Sequence, residues 1–168
     1  MLVGNRERFA IEAEPEAPSY NWIFGRFRFW LGGHPVGNWE DAADLKGCLH
    51  WLRDFAENPR DRYDPRLDDL EPHAVFQLIY DPVVGPDGIA NPAEQPIPYS
   101  YSRFHITHLG MSSFDRFDLL QLKDEDGAER CLWRAAGNDK IFECRLSRNE
   151  MEGVAAEFCR QLDPLINT

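Results

Sequence analysis

The side chains that could do chemistry in this sequence are five histidines, four cysteines and a surplus of carboxylates. His105 and His108 lie three residues apart in FHITHLG, a segment predicted to be a strand. Side chains alternate between the faces of a strand, so these two rings point to opposite sides and make a poor metal pair. His34 stands in a Gly-Gly-His-Pro turn, where a structural role is more common than a catalytic one. We therefore predict no metal and no cofactor.

Asp115 and Asp118, in SSFDRFD, are the carboxylates whose spacing best suits paired acid–base work. The sequence indicates no companion acid or base for these two residues, and carboxylates are abundant in this chain. The sequence contains no nucleophile elbow, HExxH motif, phosphate-binding loop or dinucleotide fingerprint. We predict that the protein is not an enzyme. A small hydrolase using Asp115 or His34 is the less favoured alternative.

Charge and composition narrow the class of partner. The 168 residues are predicted to form a single domain, 1–168, with a net charge of −11. Such a field repels nucleic acid and anionic membranes, and it speeds encounter with basic partners. The N-terminal residues do not resemble a signal peptide, and the cysteines show no CxxC spacing. These features predict a cytoplasmic protein with reduced thiols.

Hydrophobic periodicity predicts an α+β fold: a mostly antiparallel β-sheet, ending in a C-terminal β-meander, with helices packed on one face. The last of these helices is amphipathic and begins at a capping box formed by Ser147 and Glu150. The predicted strands are 8–13, 22–31, 101–109, 114–123, 129–136 and 140–146, and the predicted helices cover 41–57, a segment starting at Asp64-Pro65, the stretch PHAVFQLIY and the C-terminal residues.

The meander has a register that the turns specify. A two-residue turn at Gly137-Asn138 places Cys131 opposite Cys144 and Trp133 opposite Phe142, all on one apolar face. The two cysteines could bond if oxidised, although two small apolar groups in a core is the simpler interpretation. A turn of two or four residues around Asp126-Gly127 would add Leu120 and Leu122 to the same face. The opposite face, with Arg130, Arg134, Glu143 and Arg145, is predicted to be wet.

Two surfaces are candidates for binding a partner. The acidic, proline-rich segment 61–98 holds eight acidic residues against two arginines, and its carboxylates Asp61, Asp64, Asp68, Asp69 and Glu71 could complement a basic partner. The alternative is a solvated surface with no partner. The second candidate is the outward row of the strand NWIFGRFRFWLGG, where Trp22, Arg26, Arg28 and Trp30 alternate with core residues. Trp and Arg often anchor interfaces, but another element of the protein could equally cover this row.

Four stretches of the chain resemble the immunity protein 42 family of bacterial polymorphic-toxin systems. They are MLVGNRERFAIEAE, NWIFGRFRFWLGGHPVGN, SSFDRFDLLQLKDEDGAERCLWR and IFECRLSRNEMEGVAAEF. The resemblance implies an antidote that binds a cognate toxin domain and blocks it, and it supplies no catalytic or toxin-contacting residues. We therefore expect neutralisation by occlusion of the toxin's active site, with nucleases the obvious class because their clefts are basic. A non-enzymatic adaptor or oligomeric scaffold is the alternative.

Overall fold

The structure is a computed structural model, and it describes residues 1–17, 22–80, 100–107 and 112–166. The described strands form two antiparallel sheets, and the helices include one at the C-terminus, so the predicted α+β class is confirmed. The strands are β1 (Leu2–Gly4), β2 (Phe9–Pro15), β3 (Phe24–Leu31), β4 (His34–Val36), β5 (Ala42–Asp44), β6 (Phe117–Lys123), β7 (Glu129–Ala135) and β8 (Phe142–Leu146). The helices are α1 (Leu45–Glu57), α2 (Pro72–Ile79), α3 (Ser100–Phe104) and α4 (Glu150–Ile166), with a 3-10 turn at Ser112–Phe114.

Strand β3 organises the first sheet, because it pairs with β2 on one side and with both β4 and β5 on the other. Its alternation is as predicted: Phe27, Phe29 and Leu31 are essentially inaccessible to solvent, while the residues between them face outward. The two phenylalanine rings meet edge to face, with centroids 5.5 Å apart. This row of large side chains fixes which face of the sheet is dry.

Helix α1 begins four residues later than predicted. Ala42–Asp44 forms β5 instead of the first helical turn, because these residues pair with Phe24, Gly25 and Arg26 of β3. Asp44 is the N-cap, and its side chain accepts a hydrogen bond from the Lys46 backbone N–H. The predicted apolar stripe and the end of the helix at Asn58 are confirmed.

The meander pairs Cys131 with Cys144 and Trp133 with Phe142, as predicted, and all four cysteines are free thiols. The face predicted for the leucines of β6 is wrong, because Cys131 lies opposite Gln121 and not on the same face as Leu120 and Leu122. Lys123 pairs with Glu129, which leaves residues 124–128 in the turn, an odd number. Gly127 occupies the left-handed conformation that this turn needs (φ 80°). One residue of shift moves every β6 side chain to the opposite face.

This shift gives the meander two dry faces in place of one. Leu120, Leu122 and Leu132 lie beside Arg130 and pack against α2 and Leu67 in a second hydrophobic cluster. The expected wet face is therefore covered over much of its area. Its charged residues find partners within the protein, since Arg130 donates to Glu143 and to the Leu67 carbonyl oxygen.

Other corrections concern the middle of the chain. Residues 100–104 form helix α3 and not a strand, and the Arg103 side chain ties this helix to the Asp61 and Tyr63 carbonyls. Tertiary contacts of this kind outweigh local propensity in so short an element. The segment at Asp64-Pro65 is a turn and not a helix start, whereas α2 confirms the helix predicted for PHAVFQLIY. The predicted loop 81–98 and His108 lie outside the described residues.

The main core draws on both ends of the chain. Helix α4 lies against α1, β1 and β2, and buries Met151, Ala155, Phe158 and Leu162 as its stripe predicts. Glu150 accepts a hydrogen bond from the Ser147 backbone N–H at 2.9 Å, which confirms that part of the capping box. At the other end, the Met1 ammonium group donates to the Ala13 carbonyl oxygen. Within the described segments, no helix combines the length and the apolar character needed to cross a bilayer.

Where α4 meets the meander, the core contains charged groups. Lys123 Nζ lies 2.6 Å from Glu152 Oε1, and the Met151 backbone N–H donates to Glu129 Oε2 at 3.1 Å. Glu129 and Glu152 are both more than nine-tenths buried. Burial and the neighbouring Glu152 raise the pKa of Glu129 to about 9. Glu129 is therefore protonated at neutral pH and can donate to the Glu152 carboxylate.

The protonated state of Glu129 makes stability depend on pH. Between about pH 4.5, the ordinary pKa of a glutamate, and about pH 9, the folded protein holds a proton that the unfolded chain has released. Stability therefore falls as pH rises through this window. The substitution Glu129→Gln keeps a neutral donor, so its melting temperature relative to the wild type should rise between pH 5 and pH 8.

The measurement is thermal unfolding at both pH values, with Glu71→Gln as the control because Glu71 is exposed. A difference between Glu129→Gln and the wild type that is the same at pH 5 and pH 8 would show that Glu129 is ionised in the folded protein.

Candidate interaction surfaces

The carboxylates of the 61–71 segment separate into two kinds. Asp64 is 7% exposed and accepts hydrogen bonds from two guanidinium nitrogens of Arg66, Nε at 2.9 Å and Nη2 at 2.6 Å. These bonds hold the pKa of Asp64 below its usual value. Asp61 is exposed, and it accepts from Arg103 at 3.0 Å. Both residues thus have structural partners, which the sequence did not reveal.

Asp68 and Asp69 instead border a cavity of about 270 Å³. The five-residue turn between β6 and β7 forms the facing wall and brings three further carboxylates to it, Asp124, Glu125 and Asp126. We define these five residues as the acidic rim. The turn was recognised in the sequence as KDEDGAE, but its carboxylates were not assigned to a surface, because residues about 55 positions apart gave no sign of proximity.

Within the described part of the chain, the carboxylates of the acidic rim form no ion pair, so repulsion acts among them. Burial, together with Asp124 and Asp69, raises the pKa of Asp68. The cations that line the cavity are engaged elsewhere: Lys123 with Glu152, and both Arg130 and Arg145 with Glu143. The rim is therefore a concentrated negative potential at the mouth of a cavity, suited to a lysine or arginine of another molecule. Across the described ranges, no group of three His, Cys, Asp or Glu side chains could hold a metal ion.

The remaining acidic residue of the predicted set, Glu71, is exposed at the N-terminus of α2. Its side chain makes no capping hydrogen bond with this helix. It therefore adds negative charge close to the acidic rim in sequence, but not to the wall of the cavity.

The outward row of β3 forms a network centred on Glu12 of the neighbouring strand. Glu12 accepts from Arg28 Nε and Trp30 Nε1 at 2.8 Å each, and from Arg6 at 2.7 Å. The Arg28 guanidinium also lies between two indole rings, 4.6 Å from the centroid of Trp30 and 4.3 Å from that of Trp39. The arginine and tryptophan at this end of the row are thus held by contacts within the protein.

The end of the row that contains Trp22 is more exposed to solvent. Trp22 is 56% exposed and stacks on Phe24, itself 41% exposed, with ring centroids 6.0 Å apart. Arg26 follows and is 3.6 Å from Glu14, with both side chains well exposed. A stacked, exposed aromatic pair beside a loosely held arginine is the composition of an interface anchor. Phe24 lies on the same outward face by the alternation of the strand, but it is not among the contacts named from the sequence.

The residues named for a hydrolase lie in two places. His34 lies against Phe142, with ring centroids 4.7 Å apart. Asp115 and Asp118 line one cavity of about 240 Å³ together with His105 and Thr107, and Asp118 accepts a hydrogen bond from Arg134. In this cavity Thr107 Oγ1 lies 2.8 Å from His105 Nε2 and 3.1 Å from the Phe117 carbonyl oxygen.

Comparison with protein-family models matches residues 1–161 to the model described as Immunity protein 42. Among solved structures, the chain is similar to the crystal structure of CdiI from Burkholderia dolosa AUO158. The sequence identity is 15% and the TM-score 0.71, over 96% of this chain and 99% of that one, which shows a shared fold. A search of curated proteins finds no match.

The Glu12 network yields a stability prediction with a matched control on the same strand. Glu12→Gln removes the charge that three donors share and should destabilise the protein by about 1–3 kcal/mol. Glu14→Gln, at a residue with one long and exposed ion pair, should change stability by less than about 0.5 kcal/mol. Urea unfolding monitored by tryptophan fluorescence measures both. Equal losses for the two variants would mean that the network contributes nothing.

Proposed function

The chain belongs to the immunity protein 42 family and is an antitoxin that neutralises a cognate toxin, and we propose that it does so by occluding the toxin's active site. In this mechanism the antitoxin performs no reaction, and acts in the cytoplasm by binding a protein with a basic cleft. A nuclease is the toxin class that such a cleft suggests, because its substrate is a polyanion.

The observation that carries the proposal is the acidic rim. Burial and the neighbouring carboxylates raise the pKa of Asp68, and the cations beside the rim are bound to other residues. Retaining such repulsion lowers the stability of the free protein, and a cationic partner would relieve it. Asp61 and Glu71 extend the negative surface, while Asp64 orients its segment through Arg66.

The exposed end of the β3 row is proposed as the second contact. The Trp22–Phe24 pair already holds a stacked geometry, so little side-chain entropy would be lost when it is covered. Arg26 adds a charge that can leave Glu14 for a carboxylate of the toxin, whereas Arg28 and Trp30 support this end from within the Glu12 network. A nanomolar complex needs about −12 kcal/mol, and buried aromatic anchors supply that more effectively than exposed charges do.

Co-expression with the product of the neighbouring reading frame tests the function itself. An antitoxin restores growth and co-purifies with that product in a one-to-one complex. An adaptor or scaffold would give no rescue, and light scattering would detect self-association alone. Turnover in a broad substrate screen, without rescue, would favour an enzyme.

Charge reversal of the rim tests the proposed surface. The double variant Asp68→Lys, Asp69→Lys should slow association with the toxin by about tenfold or more at low salt, with a smaller effect at high salt, because steering by exposed charges is screened. Stopped-flow or surface-plasmon measurements of the on-rate at two ionic strengths provide the data.

The control variant is Glu57→Lys, Asp139→Lys, which changes the net charge equally at exposed positions away from the rim. A rim variant that associates as fast as this control would remove the acidic rim from the interface and leave the antitoxin function intact.

A further inference from the structure

A cavity of about 280 Å³ lies where α1 ends and the chain passes towards α2. One wall is apolar and consists of Trp51 and Phe55, one turn apart on α1, with their rings stacked at 5.1 Å. The remainder is polar and includes Asn58, Arg60 and Arg62.

Arg62 is the unusual component of this wall, because it is only 4% exposed. Its Nε and Nη1 atoms are buried and have no hydrogen-bond partner among the residues that the structure describes. The guanidinium lies 5.2 Å from the centroid of the Phe55 ring, a contact that offers attraction but no acceptor. A buried guanidinium without acceptors is costly, so its retention calls for a compensating anion.

The surrounding carboxylates compensate for the burial of Arg62 only in part. Burial lowers the pKa of Arg62, and the negative charge of Glu152, which opposes this shift, is shared with Lys123 at 2.6 Å. Asp54, at the edge of the cavity, accepts from Asn58. Arg60 donates to the Ser102 carbonyl oxygen through Nη1 at 3.0 Å, and the described residues offer its other guanidinium nitrogens no acceptor. An oxyanion entering here would meet two guanidinium groups beside an aromatic wall.

We propose that this cavity binds a small molecule or side chain through a carboxylate or phosphate group, with Arg62 as its principal partner. Arg60 provides the second positive charge at the entrance. The Trp51–Phe55 face receives the apolar part of the ligand. This site is separate from the acidic rim, which has the opposite charge, and it does not depend on the identity of the toxin.

The probes are benzoate, acetate and inorganic phosphate, each titrated into the full-length protein at constant ionic strength with chloride as the balancing anion. We expect benzoate to raise the melting temperature and to bind at least about fivefold more tightly than acetate, because its ring can lie on the aromatic wall. Arg62→Met should weaken benzoate binding by about tenfold or more, and Arg60→Gln by a smaller factor. Arg148→Met, which removes an exposed arginine elsewhere, should leave binding unchanged.

Two results would overturn the proposal: no saturable binding of any probe, or equal binding by the wild type and Arg62→Met. If Arg62→Met fails to fold, a crystal of the wild type soaked in 4-iodobenzoate decides, since the anomalous iodine signal must lie in this cavity. Repeating the titration on the toxin complex identifies the natural source of the anion. Loss of binding there indicates a carboxylate supplied by the toxin, and unchanged binding indicates a free small molecule.

Discussion

The register of the β6–β7 hairpin is the constraint on which the rest of the structure depends. With five residues in the turn, Leu119 and Gln121 face α4 while Leu120 and Leu122 face α2. Both faces of the meander are consequently buried, one in each hydrophobic cluster. The same turn projects its carboxylates towards Asp68 and Asp69, and it delivers Glu129 to the start of α4. A turn with one residue fewer would exchange the two faces and dismantle the acidic rim.

Charge is distributed by the same principle of local pairing. Most arginines form ion pairs with nearby carboxylates, as Arg28 does with Glu12 and Arg66 with Asp64. Because acidic residues outnumber basic ones, the pairing leaves an excess of carboxylates, and five of these lie together at the acidic rim. Arg62 is the counterpart in the interior, a cation whose acceptors are absent from the described residues. Recognition can use either kind of unbalanced group.

The parts of the fold that could be predicted are those where one local signal acts alone. Period-two alternation identified the dry side of β3, a two-residue turn fixed Cys131 opposite Cys144, and the apolar stripe of α4 located its buried face. The errors arose where distant contacts decide. Ala42–Asp44 resembles a helix start until β3 offers it a partner, and α3 is held by carbonyls some 40 residues away. The acidic rim joins two segments that are remote in sequence, so the sequence indicated Asp68 and Asp69 as surface carboxylates but not the three carboxylates of the turn.

Helix α4 completes the core that β1, β2 and α1 begin, and its side chains Met151, Ala155, Phe158 and Leu162 are buried there. During synthesis on the ribosome, the part of the core that α4 covers therefore stays uncovered until α4 has been translated. Transiently exposed hydrophobic surface of this kind is prone to aggregation. Protection of the cell would thus lag behind translation of the first sheet by the time that α4 needs to be made and to dock.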